Sequence, residues 1–372
     1  LTEWLQDRDQ RLRKAAAKAL EAITGEVQTI ELEEVRFPRT EEREGLLRAE
    51  PFDAVPEAVT SFLDAEGQHV IALHTEQLRR SKLVLRDAAG STLRRVDVPL
   101  FIEELATWTL GDRTQLLVAR GAEKQFTMED RIVVYSTEGD VLWSYIGAER
   151  IDVMRTFRTA NDEPRIALHE GNSLVILRPD GSVVTKDLKQ IGAYSLLSHP
   201  AFPGSLFVTF FGRFDEYYIG AKDAVKRLPQ IDVSSYPTDA VLVSDAIGDP
   251  VFVYNCNDDA SVPTIECTTL TGIVLWSATI GDSVLCLQTV TLPNGRDVLV
   301  TVERSGSVSV FDTEGTLFGR LDIQTVNPDQ ASGEFMVFGA VMCATGPTTQ
   351  RIFVQTNAGD AQVDMDLSTL LP

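Results

Sequence analysis

The chain has 372 residues, 44% of them apolar and 24% charged, and a formal net charge of −21. Those proportions describe a folded globular protein rather than a disordered one, and no apolar run is long enough to span a bilayer as a helix. The acidity opposes nucleic-acid binding and adsorption to anionic lipid, so the expected partner is another protein.

The chain opens on Leu1 with no basic or apolar leader, which reads as a piece of a longer chain or a processed form. A cytoplasmic location is the working expectation, and export stays open. Residues 7–24 predict one amphipathic helix. Asp7 and Gln10 have capping-box spacing, Leu5, Leu12, Ala16, Leu20 and Ile23 share a face, and Gly25 ends the run. The pattern Asp7-x-Asp9-x-x-Leu12-Arg13-x-Ala15-Ala16-x-x-Ala19-Leu20-x-x-Ile23 resembles the second helix of a HEAT repeat. That likeness implies further repeats upstream, because one repeat cannot bury its own apolar face. The alternative is a helix docked on the domain that follows.

From residue 59 onward helical periodicity gives way to short apolar runs between Gly, Asp, Asn and Pro clusters, the pattern of an all-β repeat fold. Runs at 70–73, 116–118, 166–168, 206–208, 251–253, 298–302 and 352–354 define seven units, at 59–99, 100–147, 148–191, 192–233, 234–281, 282–323 and 324–367. Tight turns end on Gly90, Gly139, Gly181, Gly272 and Gly315, with Ala224 in the equivalent place of a degenerate copy. Hairpins of this kind commonly need a residue with positive φ. Six units hold four strands each and the seventh only three. The strand-like segment 27–33 is the expected donor of the missing outer strand. The predicted fold is therefore a seven-bladed β-propeller with four-stranded blades. Its expected organisation is an amphipathic helix at 1–25, a closing strand at 26–35, a long loop insertion at 36–58 and the propeller at 59–372.

Two turns continue as Gly139-Asp140-Val141-Leu142-Trp143-Ser144 and Gly272-Ile273-Val274-Leu275-Trp276-Ser277. This pattern resembles the repeat of the quinoprotein alcohol-dehydrogenase-like propellers, within the wider group of WD-type propellers. The likeness implies the fold, with the tryptophans packed between blades. Five units lack the tryptophan and no adjacent cysteine pair occurs, so no quinone and no other cofactor is expected.

No nucleophile elbow, phosphate loop or dinucleotide fingerprint is present, and no catalytic residue is assigned. The four cysteines and four histidines lack metal-site spacing, and no metal is expected. Asn255, Asn257, Asp258 and Asp259 offer oxygen ligands without the order of a calcium loop, and read as a polar turn. His74 and His169 end matching strands as a trace of repetition. Cys256 and Cys267 flank one hairpin, which leaves free thiols or a disulfide open.

The long connections fall on one face of the expected ring, the face of the B–C and D–A loops when strands are lettered from the channel outward. Long loops on a compact scaffold often carry function. Leu46, Leu47 and Phe52 in the segment 36–58, and Phe211, Arg213 and Phe214 in an aromatic hairpin, are the candidate partner-binding residues. A strap lying on the propeller is the rival account of the first three. The expected function is a non-enzymatic protein-interaction or scaffold propeller, within a larger sensor or assembly protein. The alternative is a propeller lyase, glycosidase or degenerate quinoprotein acting at the channel mouth, and a small-molecule ligand in the channel fits either reading. Convergent carboxylates or histidines at that mouth would favour the enzyme, and a mixed apolar and polar rim the binder.

Overall fold

A computed structural model of the chain describes residues 40–41, 43–52, 55–77, 80–123, 130–186, 195–210, 212–220, 223–233, 237–256, 264–280, 282–325 and 335–371. The expected helix at 1–25 and the strand-like segment 26–35 lie outside them.

The first strand, β1 (Leu47–Pro51), belongs to the last blade. Blade one follows as β2 (Ala58–Leu63), β3 (His69–Gln77), β4 (Arg80–Asp87) and β5 (Thr92–Asp97). Blade two is β6 (Phe101–Thr109), β7 (Gln115–Ala122), β8 (Asp130–Tyr135) and β9 (Val141–Ile146). Blade three is β10 (Ile151–Arg158), β11 (Pro164–Glu170), β12 (Ser173–Leu177) and β13 (Val183–Lys186). Blade four holds β14 (Leu196–Leu197), β15 (Ser205–Phe210) and β16 (Arg213–Ile219), with β17 (Val225–Arg227) and β18 (Ile231–Asp232) sharing the outer position along β16. Blade five is β19 (Pro237–Ser244), β20 (Pro250–Cys256), β21 (Thr264–Thr269) and β22 (Val274–Thr279). Blade six is β23 (Val284–Thr291), β24 (Asp297–Glu303), β25 (Ser307–Asp312) and β26 (Leu317–Asp322). Blade seven is β27 (Val337–Ala344), β28 (Thr349–Thr356) and β29 (Ala361–Asp366), with β1 outermost. The result is a seven-bladed, all-β propeller of antiparallel four-stranded blades, on the unit boundaries expected from the sequence.

The outer strand of blade seven comes from the N-terminal side of the propeller, as expected, but its position is corrected. Leu47–Pro51 pairs along β29, with Leu47 opposite Met365 and Pro51 opposite Ala361. Leu47 and Ala49 are half-buried while Arg48 and Glu50 are exposed, the period-two signature of an outer strand with one apolar face. The supposed insertion at 36–58 thus contains the closing strand, and only residues 52–57 connect it to blade one.

The second strands are buried on both faces, so their residues are nearly continuously apolar. All of Pro164–Glu170 and all of Asp297–Glu303 are buried. Blades contact one another through a repeated wedge. Trp143 Nε1 on β9 donates to Pro179 O in the next blade at 2.8 Å, and Trp276 Nε1 on β22 donates to Thr313 O at 2.9 Å. Beneath each indole sits the turn glycine of that neighbour. A Cβ on Gly315 would fall 2.8 Å from Trp276 Cδ2, and Gly315 has φ +83°, so conformation and space both demand glycine there. In the degenerate fourth blade the left-handed residue is Asp223, φ 60°, one position before Ala224. Its carboxylate compensates by accepting from Arg165 Nε at 2.7 Å and Arg178 Nε at 3.0 Å.

Around the channel, inner strands are laced across blades by hydroxyls. Thr107 Oγ1 donates to Ser61 O at 2.6 Å, Thr156 Oγ1 to Thr107 O at 3.3 Å, and Ser198 Oγ to Thr156 O at 3.3 Å. Ala344 N donates to Ser61 Oγ at 3.1 Å, which carries the chain across the join between blades seven and one. Cys256 and Cys267 are free thiols. The register sets Cys256 opposite Thr264 and Cys267 opposite Val253, so they do not face each other.

Leu46 is 1% exposed and packs in the core between blades six and seven. Leu46→Ala should therefore lower the free energy of unfolding by roughly 2–5 kcal/mol, read from urea denaturation. Unchanged stability would mean that this part of the closing segment does not seal the ring.

Candidate functional site: the channel mouth

The inner strands surround a channel of about 810 Å³. At the end where the D–A loops enter, the ladder between inner and second strands is interrupted in five blades. The register skips Glu103 in blade two, Asp152 in blade three, Leu285 in blade six and Phe338 in blade seven, and in blade five residues 238 and 239 stand opposite Asn255. Such bulges re-aim side chains. Here they take Glu103, Asp152, Asp239, Leu285 and Phe338 out of the regular pairing near the D–A ends of the inner strands, and Glu103, Asp239 and Leu285 line the channel. Phe338 is 59% and Leu285 37% exposed, on adjacent blades.

The bulges are held from behind by buried polar residues at the ends of second strands. Glu170 is 2% exposed, and its carboxylate accepts from Ala148 N at 2.7 Å and Tyr145 Oη at 2.5 Å. Glu303, fully buried, occupies the same place in blade six and accepts from Asp282 N at 3.1 Å. Asn255 Oδ1 accepts from Asp239 N at 2.7 Å. Each fixes a D–A loop or an inner-strand start, so the mouth is pre-organised.

Its charges are mostly compensated. Arg120 Nη1 donates to Glu103 at 2.7 Å and Nε to Glu104 at 2.9 Å. Burial raises the Glu104 carboxyl, and Arg120 and Arg155 pull it back. Deeper in the channel Arg155 donates to Ser198 Oγ and O, both at 3.2 Å, and burial lowers its guanidinium from the ordinary value. Asp239 differs. Its Oδ2 accepts from Leu287 N at 2.8 Å, but burial dominates and its carboxyl is pushed up to about 7.

At the opposite mouth, His199 Nε2 lies 3.0 Å from Asp297 Oδ2. His199 Nδ1 accepts from Ala201 N at 3.2 Å, which turns Nε2 toward Asp297. Burial works to raise Asp297, but the hydrogen bonds from His199, Ser244 N and Thr291 outweigh it and hold that carboxyl low. The pair bridges blades four and six. Among the described residues no group of three or more His, Cys, Asp or Glu is arranged to hold a metal ion.

The candidate residues read from sequence fare unevenly. Leu46 is buried, Leu47 is half-buried in the closing strand, and the Phe52 ring lies 5.0 Å from that of Phe353. These three form the strap rather than a free surface. Phe214 is fully buried and stacks on Phe252 at 4.1 Å, because its strand position faces blade five. Arg213 covers the Phe210 ring at 4.9 Å, and Phe211 lies outside the described residues. His74 is fully buried beside Phe101, and burial lowers its imidazole to about 4. His169 is also buried, 3.6 Å from Asp152. Sequence reading missed the bulges. Their trace is a break in alternation at strand starts, as in Phe101-Ile102-Glu103-Glu104-Leu105.

No family profile matches the chain, and no curated protein matches it. Among solved structures it is similar to the crystal structure of BBS1N in complex with ARL6DN soaked with mercury, at TM-score 0.62 and 14% identity over 89% of this chain and 98% of that one. The same complex soaked with lead matches at TM-score 0.61 and 15% identity, with the same coverage. At these identities the likeness is one of fold.

Asp239 gives a pH test. Its raised folded value means that the native state holds the proton more tightly than the unfolded chain. The stability this confers is full below the unfolded value of about 4 and lost as pH rises through about 7. Asp239→Asn keeps an oxygen for Leu287 N and removes the charge. The variant should gain on the parent by roughly 2 kcal/mol between about pH 5 and pH 8 in urea unfolding; parallel pH profiles would show that the channel solvates Asp239 well.

Proposed function

We propose that this propeller is a non-enzymatic protein-interaction domain whose docking surface is the D–A mouth of the channel. The observation that carries the reading is the mixed rim. Exposed Leu285 and Phe338 stand on blades six and seven, and the carboxylates of Glu103 and Asp152 on blades two and three. An apolar anchor with charged groups around it suits a protein partner that brings one apolar side chain and basic residues. Support of a looser kind comes from the similar solved fold, BBS1N, crystallised in complex with ARL6DN. In this reading the quinoprotein-like repeat is shared architecture without the cofactor. The HEAT-like helix would join the propeller to further repeats in a larger scaffold.

An enzyme acting at the channel is the second reading, favoured only by the protonatable Asp239. The carboxylates of Glu103 and Glu104 at the same mouth are tied to Arg120.

The test is affinity capture with three forms of the protein. The parent and Ile247→Asp, altered at an 83% exposed residue on the opposite face, should recover the same partner. Phe338→Asp combined with Leu285→Asp should lose it while unfolding at the same denaturant concentration. Retention of the partner by the double variant would overturn the mouth as the docking surface.

A further inference from the structure

Every propeller blade ends in an outer strand whose free edge can pair with another chain, and proteins ordinarily blunt such edges. Here most are blunted. β5 carries Arg94, Arg95 and Asp97, β13 ends on Lys186, and β17 is Val225-Lys226-Arg227. β1 has Arg48, Glu50 and a terminal Pro51. The edge of β26 is covered by the chain itself, since Glu41 N donates to Leu317 O and Arg43 N to Phe318 O, both at 2.8 Å.

β9 has no charge or proline and, among the described residues, no covering segment, and its ladder is regular from Trp143 to Ile146, the register skipping only Leu142 at its start. Its sequence is Val141-Leu142-Trp143-Ser144-Tyr145-Ile146, without charge or proline. Val141, Leu142 and Ile146 are 56%, 50% and 54% exposed. Among the described residues its outer backbone edge has no partner strand. Trp143 and Tyr145 fix one face of the strand against blade three, through Pro179 O and Glu170. Leu142 and Ile146 are therefore left on the other face. β22, the remaining uncharged outer strand, presents Leu275 alone at 47%.

We infer that the β9 edge is a second interaction site, which takes an extended segment of a partner protein by strand addition to blade two. Main-chain hydrogen bonds would supply affinity, and Leu142 and Ile146 would select apolar residues at alternate positions of the segment. The occupant should also carry lysine or arginine, because the chain bears −21. A second copy fits poorly. Two such copies repel each other, and pairing one six-residue strand buries far less than the roughly 1,200 Å² of a standard stable interface.

The probe is a random peptide library displayed on phage and selected on the intact protein. Enriched peptides should alternate apolar residues and include basic ones. Their affinity should fall about tenfold or more when Leu142→Lys and Ile146→Lys are introduced at these exposed positions. N-methylating alternate peptide residues should abolish binding in one phase and spare it in the other, which side-chain recognition alone would not produce. Phe338→Asp with Leu285→Asp should leave peptide binding intact, so this site stands or falls apart from the channel mouth. Four outcomes would overturn the inference: no enrichment, indifference to the β9 lysines, loss with the mouth variant, or a concentration-dependent dimer in ultracentrifugation that the β9 lysines abolish.

Discussion

The antiparallel pairing of Leu47–Pro51 with Ala361–Asp366 joins two stretches of chain about three hundred residues apart in sequence, and it completes blade seven. Without β1, blade seven would end on the open edge of β29. The cluster between blades six and seven would also lose Leu46, which lies against Gly319 with its Cδ2 2.9 Å from where a Cβ would stand. Asp366 N donating to Leu46 O at 3.0 Å, and Phe52 N donating to Asp360 O at 2.9 Å, fasten the two ends of the join. A ring closed this way needs every neighbouring pair of blades to keep its angle, since an error at one junction must be taken up by the others.

Two kinds of contact hold those angles. On the outside, an indole from one blade rests on the turn glycine of the next, and a larger residue at that turn would push the blades apart. Where no tryptophan is available, Val96 takes its place against Gly139, with Cγ2 2.6 Å from an added Cβ. On the inside, the hydroxyls of Thr107, Thr156 and Ser198 tie one inner strand to the next, where apolar packing is thin because the channel removes one side of the contact. Individually each bond is worth about 1 kcal/mol. Their value lies in fixing register around the channel.

Much of this was legible in the sequence because a propeller repeats its signals. Apolar runs and the turn glycines recur at nearly constant spacing, so the blades could be counted and bounded from residues alone. The closing strand was misplaced because Leu46-Leu47 reads as a pair of loop hydrophobics. Leu46 is in fact the residue before the strand and turns into the core, and the alternation begins only at Leu47. Phe214 was misread for a related reason. Aromatic crowding in a hairpin signals either an exposed anchor or a second blade interface, and only the position of Phe252 in blade five decides between them. The bulges leave a fainter trace still. A single extra residue shifts the inward and outward assignment of everything before it, so a period-two reading of Ile102 and Glu104 cannot say where Glu103 points.

That same extra residue explains how unlike side chains come to stand at matching places near one end of the inner strands. Along an inner strand the side chains alternate between the two faces of the blade. A residue added near the start of the strand is excluded from the ladder, and in blades two, five and six it lines the channel. Repeating the device in blades two, three, five, six and seven gives the propeller a rim whose composition can vary with little cost to the core, because none of these positions belongs to the ladder. Behind the rim, buried Glu170 in blade three and Glu303 in blade six fix loop N–H groups in place, while Glu103, Asp152, Leu285 and Phe338 vary from blade to blade. A support of this kind bears unlike residues on like positions of a repeated fold.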